Sequence, residues 1–285
     1  MDPILVGQSV ISGILLGGLY GILASGLTLT WGVLKVINLA HFSFAFVAAY
    51  VSYQLAASLQ WNPLLALLVT VPACFAVGVA LQCLLDRFRV HEFQSLLVSF
   101  GLVIILENVT TLIWSADYHK LESRFARFSL PLGPFFVPVP ELVTFAAAVL
   151  LAIGATALSR RTYLGLAFRA MAQDRDVAGA FGVPTRRLGL ILSGLATATA
   201  GGAGVFISLI YTLFPSQPYG WMGVVFAVVI LGGLGSVAGA FASGLIIGVS
   251  EAVTMALTAP GWAPLVSFSV LIACLLFRPQ GLFGR

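Results

Sequence analysis

Nine apolar runs, near residues 4–30, 37–57, 64–85, 95–115, 142–159, 189–214, 222–235, 237–257 and 264–277, take up most of this sequence. Charge interrupts them so rarely that the chain cannot coat a water-soluble globule. Lys and Arg number 14 and Asp and Glu 10 in 285 residues, where a soluble domain would carry about 70. That excludes a cytosolic enzyme, a nucleic-acid-binding domain and a secreted module; no nucleic acid is expected as a partner, and membrane lipid is. Backbone groups in hydrocarbon must pair within their own segment, so the runs are read as helices. The alternating pattern of a transmembrane barrel is absent. The expectation is an all-α, polytopic transmembrane bundle, one domain over 1–285 with eight to nine spans. The seventh and ninth runs are short for a crossing of about 20 residues, and either is open to being a broken or re-entrant helix.

Charge placement orients the bundle. With nine crossings, Lys35, Arg87, Arg89, Arg160, Arg161, Arg169, Arg175, Arg186, Arg187, Arg278 and Arg285 all fall on one face. Lys and Arg gather on the cytoplasmic side, so the C-terminus is expected inside and the N-terminus, bearing only Asp2, outside. Lys120, Arg124 and Arg127 lie in the stretch 116–141, offset by Asp117, Glu122 and Glu141. Its Pro131, Pro134, Pro138 and Pro140 predict an irregular loop along the outer surface. The first Lys is residue 35, so no basic leader precedes the first run, which is read as a true span. Cys74, Cys83 and Cys274 are odd in number and sit in apolar runs, which suggests buried small hydrophobes.

Small residues recur at four-residue steps: Gly13, Gly17, Gly21 and Ser25 in the first run, then Gly189, Ser193, Thr197 and Gly201 beside Ala196, Ala200, Gly204 and Ser208 in the sixth. Such stripes let helices approach closely where the hydrophobic effect contributes little. Close packing explains them without more, and they also permit rocking between states. The Gly232-Gly233-Leu234-Gly235-Ser236 stretch is expected to be a break where the chain bends. Gly17, Gly21, Gly201, Gly232, Gly233 and Gly235 are therefore the packing and hinge candidates. GGLYGILASGL over 17–27 echoes GGLGSVAGAFASGL over 232–245, a weak sign of an internal repeat.

A charge at the hydrocarbon centre costs about 2.5–3.5 kcal/mol and needs a reason. Glu107 falls mid-span, and Ser99, Glu107, Thr110, Thr111 and Trp114 share one helical face with Asn108 beside it. Asn38 and His41 are three apart near the inner end of the second run, and Glu251 is deep in the eighth. Asn38, His41, Glu107, Asn108 and Glu251 are candidate pathway-lining groups, with plain interhelical hydrogen bonding as the alternative. No Arg or Lys lies inside a span to clamp a carboxylate, which favours a low-affinity passage over a tight site.

Enzyme chemistry has no residues to stand on. The two Lys residues do not follow Gly, so no phosphate-cradling G-x-x-x-x-G-K-[ST] loop exists. His91-Glu92 is followed by Ser95 where a zinc protease needs His, and no G-x-S-x-G elbow occurs. Neither a metal nor a cofactor is expected.

The stretch 160–188 is too patterned for a connector. Within it Leu164, Phe168, Met171, Ala178 and Phe181 fall on one side of a predicted amphipathic helix, which Gly182 and Pro184 end. Such a helix lies on the membrane surface or docks in a groove of a cytosolic partner. Asp174 and Asp176, which anionic headgroups would repel, suit the partner better.

Four stretches in order, GLYGILASGLTLTWGVLKVINLAHFSF (18–44), FRAMAQDRDVAGAFGV (168–183), AVVILGGLGSVAGAFASGLIIGVSEA (227–252) and FRPQGLFG (277–284), resemble LivH-type permease subunits of branched-chain amino acid ABC importers. The resemblance implies a pore-forming permease of the cell inner membrane, paired with a second, LivM-like permease. It also implies two cytoplasmic ATPase subunits and an extracytoplasmic solute-binding protein. In the family the segment matching 168–183 couples to the ATPases, a role that falls here on Arg169, Asp174 and Gly182. The chain departs from the family in placing Glu107 before Asn108, where an uncharged amide or similar residue is usual. Close relatives carry urea or short amides, which is the alternative cargo. A proton-coupled carrier using Glu107 or Glu251 is the alternative of a different class.

Overall fold

Residues 3–122 and 128–284 are described by the structure, a computed structural model. Asp2, Arg124, Arg127 and Arg285, four of the orienting charges, lie outside the described residues. The helices are α1 (Pro3–Leu29), α2 (Ala40–Leu59), α3 (Leu67–Arg87), α4 (Glu92–Trp114), α5 (Val139–Arg161), α6 (Tyr163–Gln173), α7 (Arg175–Ala180), α8 (Thr185–Ile210), α9 (Pro218–Gly232), α10 (Val237–Leu257) and α11 (Ala263–Phe277). Eight helical segments among the described residues are long and apolar enough to cross a membrane. The ninth apolar run reaches 18 residues with the turn that begins at Pro260, whereas α9, the seventh, has only 15.

Two helices form the centre. In α1 and α8, 72% of the most apolar window is buried, against 17% in α4, α5 and α11. The glycine stripes explain why. A methyl group added to Gly17 would lie 2.6 Å from the Gly244 carbonyl, and one on Gly13 would lie 2.6 Å from the Val249 Cα. These contacts set α1 antiparallel to α10 with backbones touching. On α8, Gly201 meets the Thr70 carbonyl of α3, Gly204 meets α2 at Ala45, and the Ser193 hydroxyl donates to the Gly78 carbonyl at 3.0 Å. Close approach substitutes dispersion and hydroxyl–carbonyl bonds for the missing hydrophobic drive. Segments 17–27 and 232–245, the two echoing stretches, thus pack on one another.

The stretch 116–141 is not an irregular loop throughout. Strands β1 (Ser129–Leu132) and β2 (Phe135–Pro138) form an antiparallel hairpin, Ser129 opposite Pro138 and Leu132 opposite Phe135. Proline is tolerated because each strand has one neighbour only, so a missing N–H breaks no second ladder. Gln8 of α1 pins the hairpin, donating to the Phe136 carbonyl at 2.8 Å and accepting from its N–H at 3.0 Å. The cysteine expectation also needs correction. Cys74 is buried, but Cys83 is exposed because the end of α3 stands at the rim of the bundle.

Candidate functional site

α4 and α9 both lean on α2 but make almost no backbone approach to each other. We read the space between their facing sides as a groove. At one end the Tyr219 hydroxyl, in the first turn of α9, donates to Glu107 Oε2 at 2.7 Å. At the other the Trp31 indole N–H donates to Glu92 Oε1 at 2.9 Å, and Trp31 stacks edge-on against Phe226 at 5.8 Å. Met222, Phe226 and Ile230, four residues apart on α9, are half-buried along it. Phe42 and Phe46 of α2 back this wall through Phe226 and Trp221. The result is an apolar, aromatic face with a hydrogen-bonded carboxylate at each end. Asn108 is exposed beside it, its amide turned to the Ile104 carbonyl of its own helix.

Glu251 sits behind this face, 4% exposed. Tyr20 OH donates to Oε2 and Ser267 Oγ to Oε1, each at 2.7 Å. Neither donor stands near Glu251 in sequence, so the stripe argument could not find them; only the α1–α10–α11 packing does. Tyr20 and Tyr211 both set their rings edge-on to Trp221. Burial, and then the Glu141 and Glu251 carboxylates, raise the Tyr211 hydroxyl above the ordinary tyrosine range. Tyr211 and Glu141 also line a small cavity of about 150 Å³ with Leu15, Leu19 and Met255.

Asn38 and His41 are deeply buried, at 2% and 1% exposure. The His41 Nε2 donates to the Leu23 carbonyl of α1 at 3.1 Å, because a carbonyl can only accept. α1 ends in a π turn, Thr30–Leu34, and Lys35 closes it at φ 55. The chain then returns along α4, where Ser95 Oγ accepts from Ile37 N–H and Ser99 Oγ from Leu39 N–H, each at 3.0 Å. Ser99 thus serves the loop before α2 rather than a stripe shared with Glu107. Among the described residues, no hydrogen bond joins Asn38 or His41 to Glu107 or Glu251.

The glycine break is held from two sides. Gly233 and Gly235 adopt φ 90 and φ 83, which side chains with a Cβ rarely accept. Gly235 N–H donates to Thr28 of α1, at 2.9 Å to its hydroxyl, while a methyl on Gly232 would strike the Gly239 backbone at 2.6 Å. On the other side the C-terminal tail folds in. Leu282 N–H donates to the Leu231 carbonyl at 2.8 Å and Phe283 N–H to Gly232 at 3.2 Å, satisfying carbonyls that the end of α9 leaves open.

The expected single amphipathic helix is two. α6 and α7 meet at Asp174, which takes an extended conformation (φ −155) and caps α7, its Oδ1 accepting from the N–H groups of Asp176 and Val177 at 2.9 Å. An acid at that position competes with helix continuation by capping a new one. Phe168, Met171 and Ala178 are buried as expected, but Phe181 and Leu164 are exposed, 86% and 46%. Arg169 is half-buried and Gly182 ends the unit at φ 84. The face these helices present therefore includes large apolar groups that nothing among the described residues covers.

A family model described as the permease component of the branched-chain amino acid transport system matches residues 9–275. The chain is 29% identical to the high-affinity branched-chain amino acid transport system permease protein LivH of Escherichia coli (strain K12), over 98% of this chain and 95% of that one. The LivH of Salmonella typhimurium gives the same identity and coverage. BraD of Pseudomonas aeruginosa, a permease protein of the same named system, is 25% identical, again over 98% and 95%. No solved structure matches the chain significantly.

Proposed function

Since the chain belongs to the family of branched-chain amino acid transport system permease components, we propose that it is the membrane-spanning subunit of an ABC importer for branched-chain amino acids in the cell inner membrane. Two ATPase subunits drive it from the cytoplasm, a solute-binding protein supplies it from outside, and a second, LivM-like permease completes it. The N-terminus is read as outside and the C-terminus as inside, a reading supported by the gathering of Arg87, Arg89, Arg175 and Arg186 in one cleft.

The observation that carries this reading is the α4–α9 groove. A face with Glu107 and Asn108 open at membrane depth is costly against lipid, and a second permease set against it would close the groove into a passage. The apolar wall of Met222, Phe226 and Ile230 suits a branched side chain, and the end carboxylates suit an ammonium group. Glu107 and Asn108 line this passage, while Asn38, His41 and Glu251 hold its inner wall. No Arg or Lys lies inside a span to clamp a carboxylate, which supports a low-affinity passage over a tight site.

Coupling falls to α6–α7. Arg169, Asp174 and Gly182 carry the motion of the ATPases into α8, and the interfaces at Gly17, Gly21 and Gly201 rock while Gly232, Gly233 and Gly235 flex. Chain and partners reconstituted together are expected to take up leucine with ATP hydrolysis. Uphill uptake by the chain alone, driven by a pH gradient, sinks the proposal.

A further inference from the structure

A second site lies away from the groove, at the corner where α3, α7 and α8 meet. There Arg87, Arg89, Arg175 and Arg186 surround a cleft of about 560 Å³ with Asp86 and Cys83. Charge in the cleft does not balance. Asp86 is the one carboxylate among its lining residues; its Oδ1 accepts from Gln82 Nε2 at 2.9 Å and lies 3.8 Å from Arg175, and its Oδ2 is buried with no hydrogen-bond partner among the described residues. Among the described residues Arg87, Arg89 and Arg186 have no carboxylate partner within 4 Å. Of the neighbouring acids, Glu92 is committed to Trp31 and Asp174 to the α7 cap, while Asp176 is exposed beside Arg175 and offsets one of the four arginines. Arg89 also holds φ 50, a left-handed position that glycine usually fills after a helix, so a long cationic side chain stands where the backbone would favour none.

Beyond Arg87, the end of α3 also carries an apolar surface. Val77, Leu84 and Phe88 share one face of the end of α3 and are 41%, 46% and 68% exposed. An exposed apolar face on a span of this length is one that hydrocarbon would cover, and Arg87 ends the span with Arg89 just beyond it. Guanidinium groups pair with phosphate through two parallel N–H donors, and basic pockets between transmembrane helices take anionic headgroups.

We propose that this cleft binds the phosphodiester of an anionic phospholipid, with the acyl chains laid along Val77, Leu84 and Phe88. Bound there, the phosphate bridges α3 to Arg175 of α7 and Arg186 of α8, bracing the unit assigned to coupling. The site itself does not depend on the transport reading, since it stands on charge and exposure alone.

The test uses the full chain, purified in detergent and examined by native mass spectrometry against phosphatidylglycerol, phosphatidylcholine and inorganic phosphate. Phosphatidylglycerol is expected to be retained over phosphatidylcholine, and R87Q/R89Q is expected to weaken that retention about tenfold or more. R160Q/R161Q, exposed arginines outside the cleft, is the control and should change it less than twofold. Equal retention of both lipids overturns the proposal. So does equal loss in the control, which would mean diffuse charge rather than a site. Binding of inorganic phosphate with no preference between lipids would show a free-anion site and overturn the lipid assignment. Loss of ATPase co-purification by R87Q/R89Q with lipid retention intact would assign the cleft to a protein partner instead.

Discussion

Tyr219 and Glu107, 112 residues apart, are joined by a 2.7 Å hydrogen bond across the mouth of the groove between α9 and α4. The bond is exposed, so it contributes little to stability, about 1 kcal/mol at most. Its value is positional, fixing the start of a helix too short to cross alone. In the assembled importer, Tyr219→Phe and Glu107→Gln are each expected to lower leucine uptake three- to tenfold while leaving the melting temperature unchanged. The double variant should be no worse than either single one. Additive losses in that cycle would mean the two residues act separately.

Gly17 is expected to tolerate nothing larger than hydrogen. Gly17→Val places carbon 2.6 Å from the Gly244 carbonyl, which belongs to backbone that cannot swing aside. Overpacking of this kind costs about 1–3 kcal/mol or more. Gly101→Ala, with nothing within 4 Å of the added methyl, should be neutral or slightly stabilising because alanine is the better helix former. Thermal unfolding in detergent, read side by side, checks both.

Asp174 separates capping from charge. Asp174→Asn keeps an oxygen for the Asp176 and Val177 N–H groups and should preserve α7, whereas Asp174→Ala should cost about 1 kcal/mol and fray it. Amide exchange over 175–180 reads the fraying, and co-purification with the ATPases reads the coupling. Weaker association in Asp174→Ala with near-normal association in Asp174→Asn is the expected pattern. Undiminished assembly and uptake in both, and in Asp174→Arg, would remove α6–α7 from the coupling role.

The C-terminal tail should matter more than its position suggests. Truncation after Arg278 exposes the Leu231 and Gly232 carbonyls that Leu282 and Phe283 now satisfy. Proteolysis should then cut faster near Gly232–Gly235, with transport reduced and the spans intact. Unchanged cleavage there would mean the hinge is held by Thr28 alone.

The sequence by itself determined the solvent of this protein and the kind of element it builds. Hydropathy adds up residue by residue along a segment, so the spans, the arginine asymmetry and the glycine stripes of α1 and α8 were all legible. The break at Gly232–Gly235 was legible too, since φ above zero favours glycine wherever it occurs. Partnership across the chain was not. Nothing local to Glu107 points to Tyr219, nothing local to Glu251 points to Tyr20 and Ser267, and Ser99 looked like part of a polar stripe until the return of 35–39 gave it a backbone to hold. The two helices within 160–188 were read as one because apolar spacing continues through Asp174, while its side chain caps instead. Tertiary structure decided these matters because a hydrogen bond depends on distances of a few tenths of an ångström, set by which helix faces lie together, and a one-dimensional pattern carries only the faces.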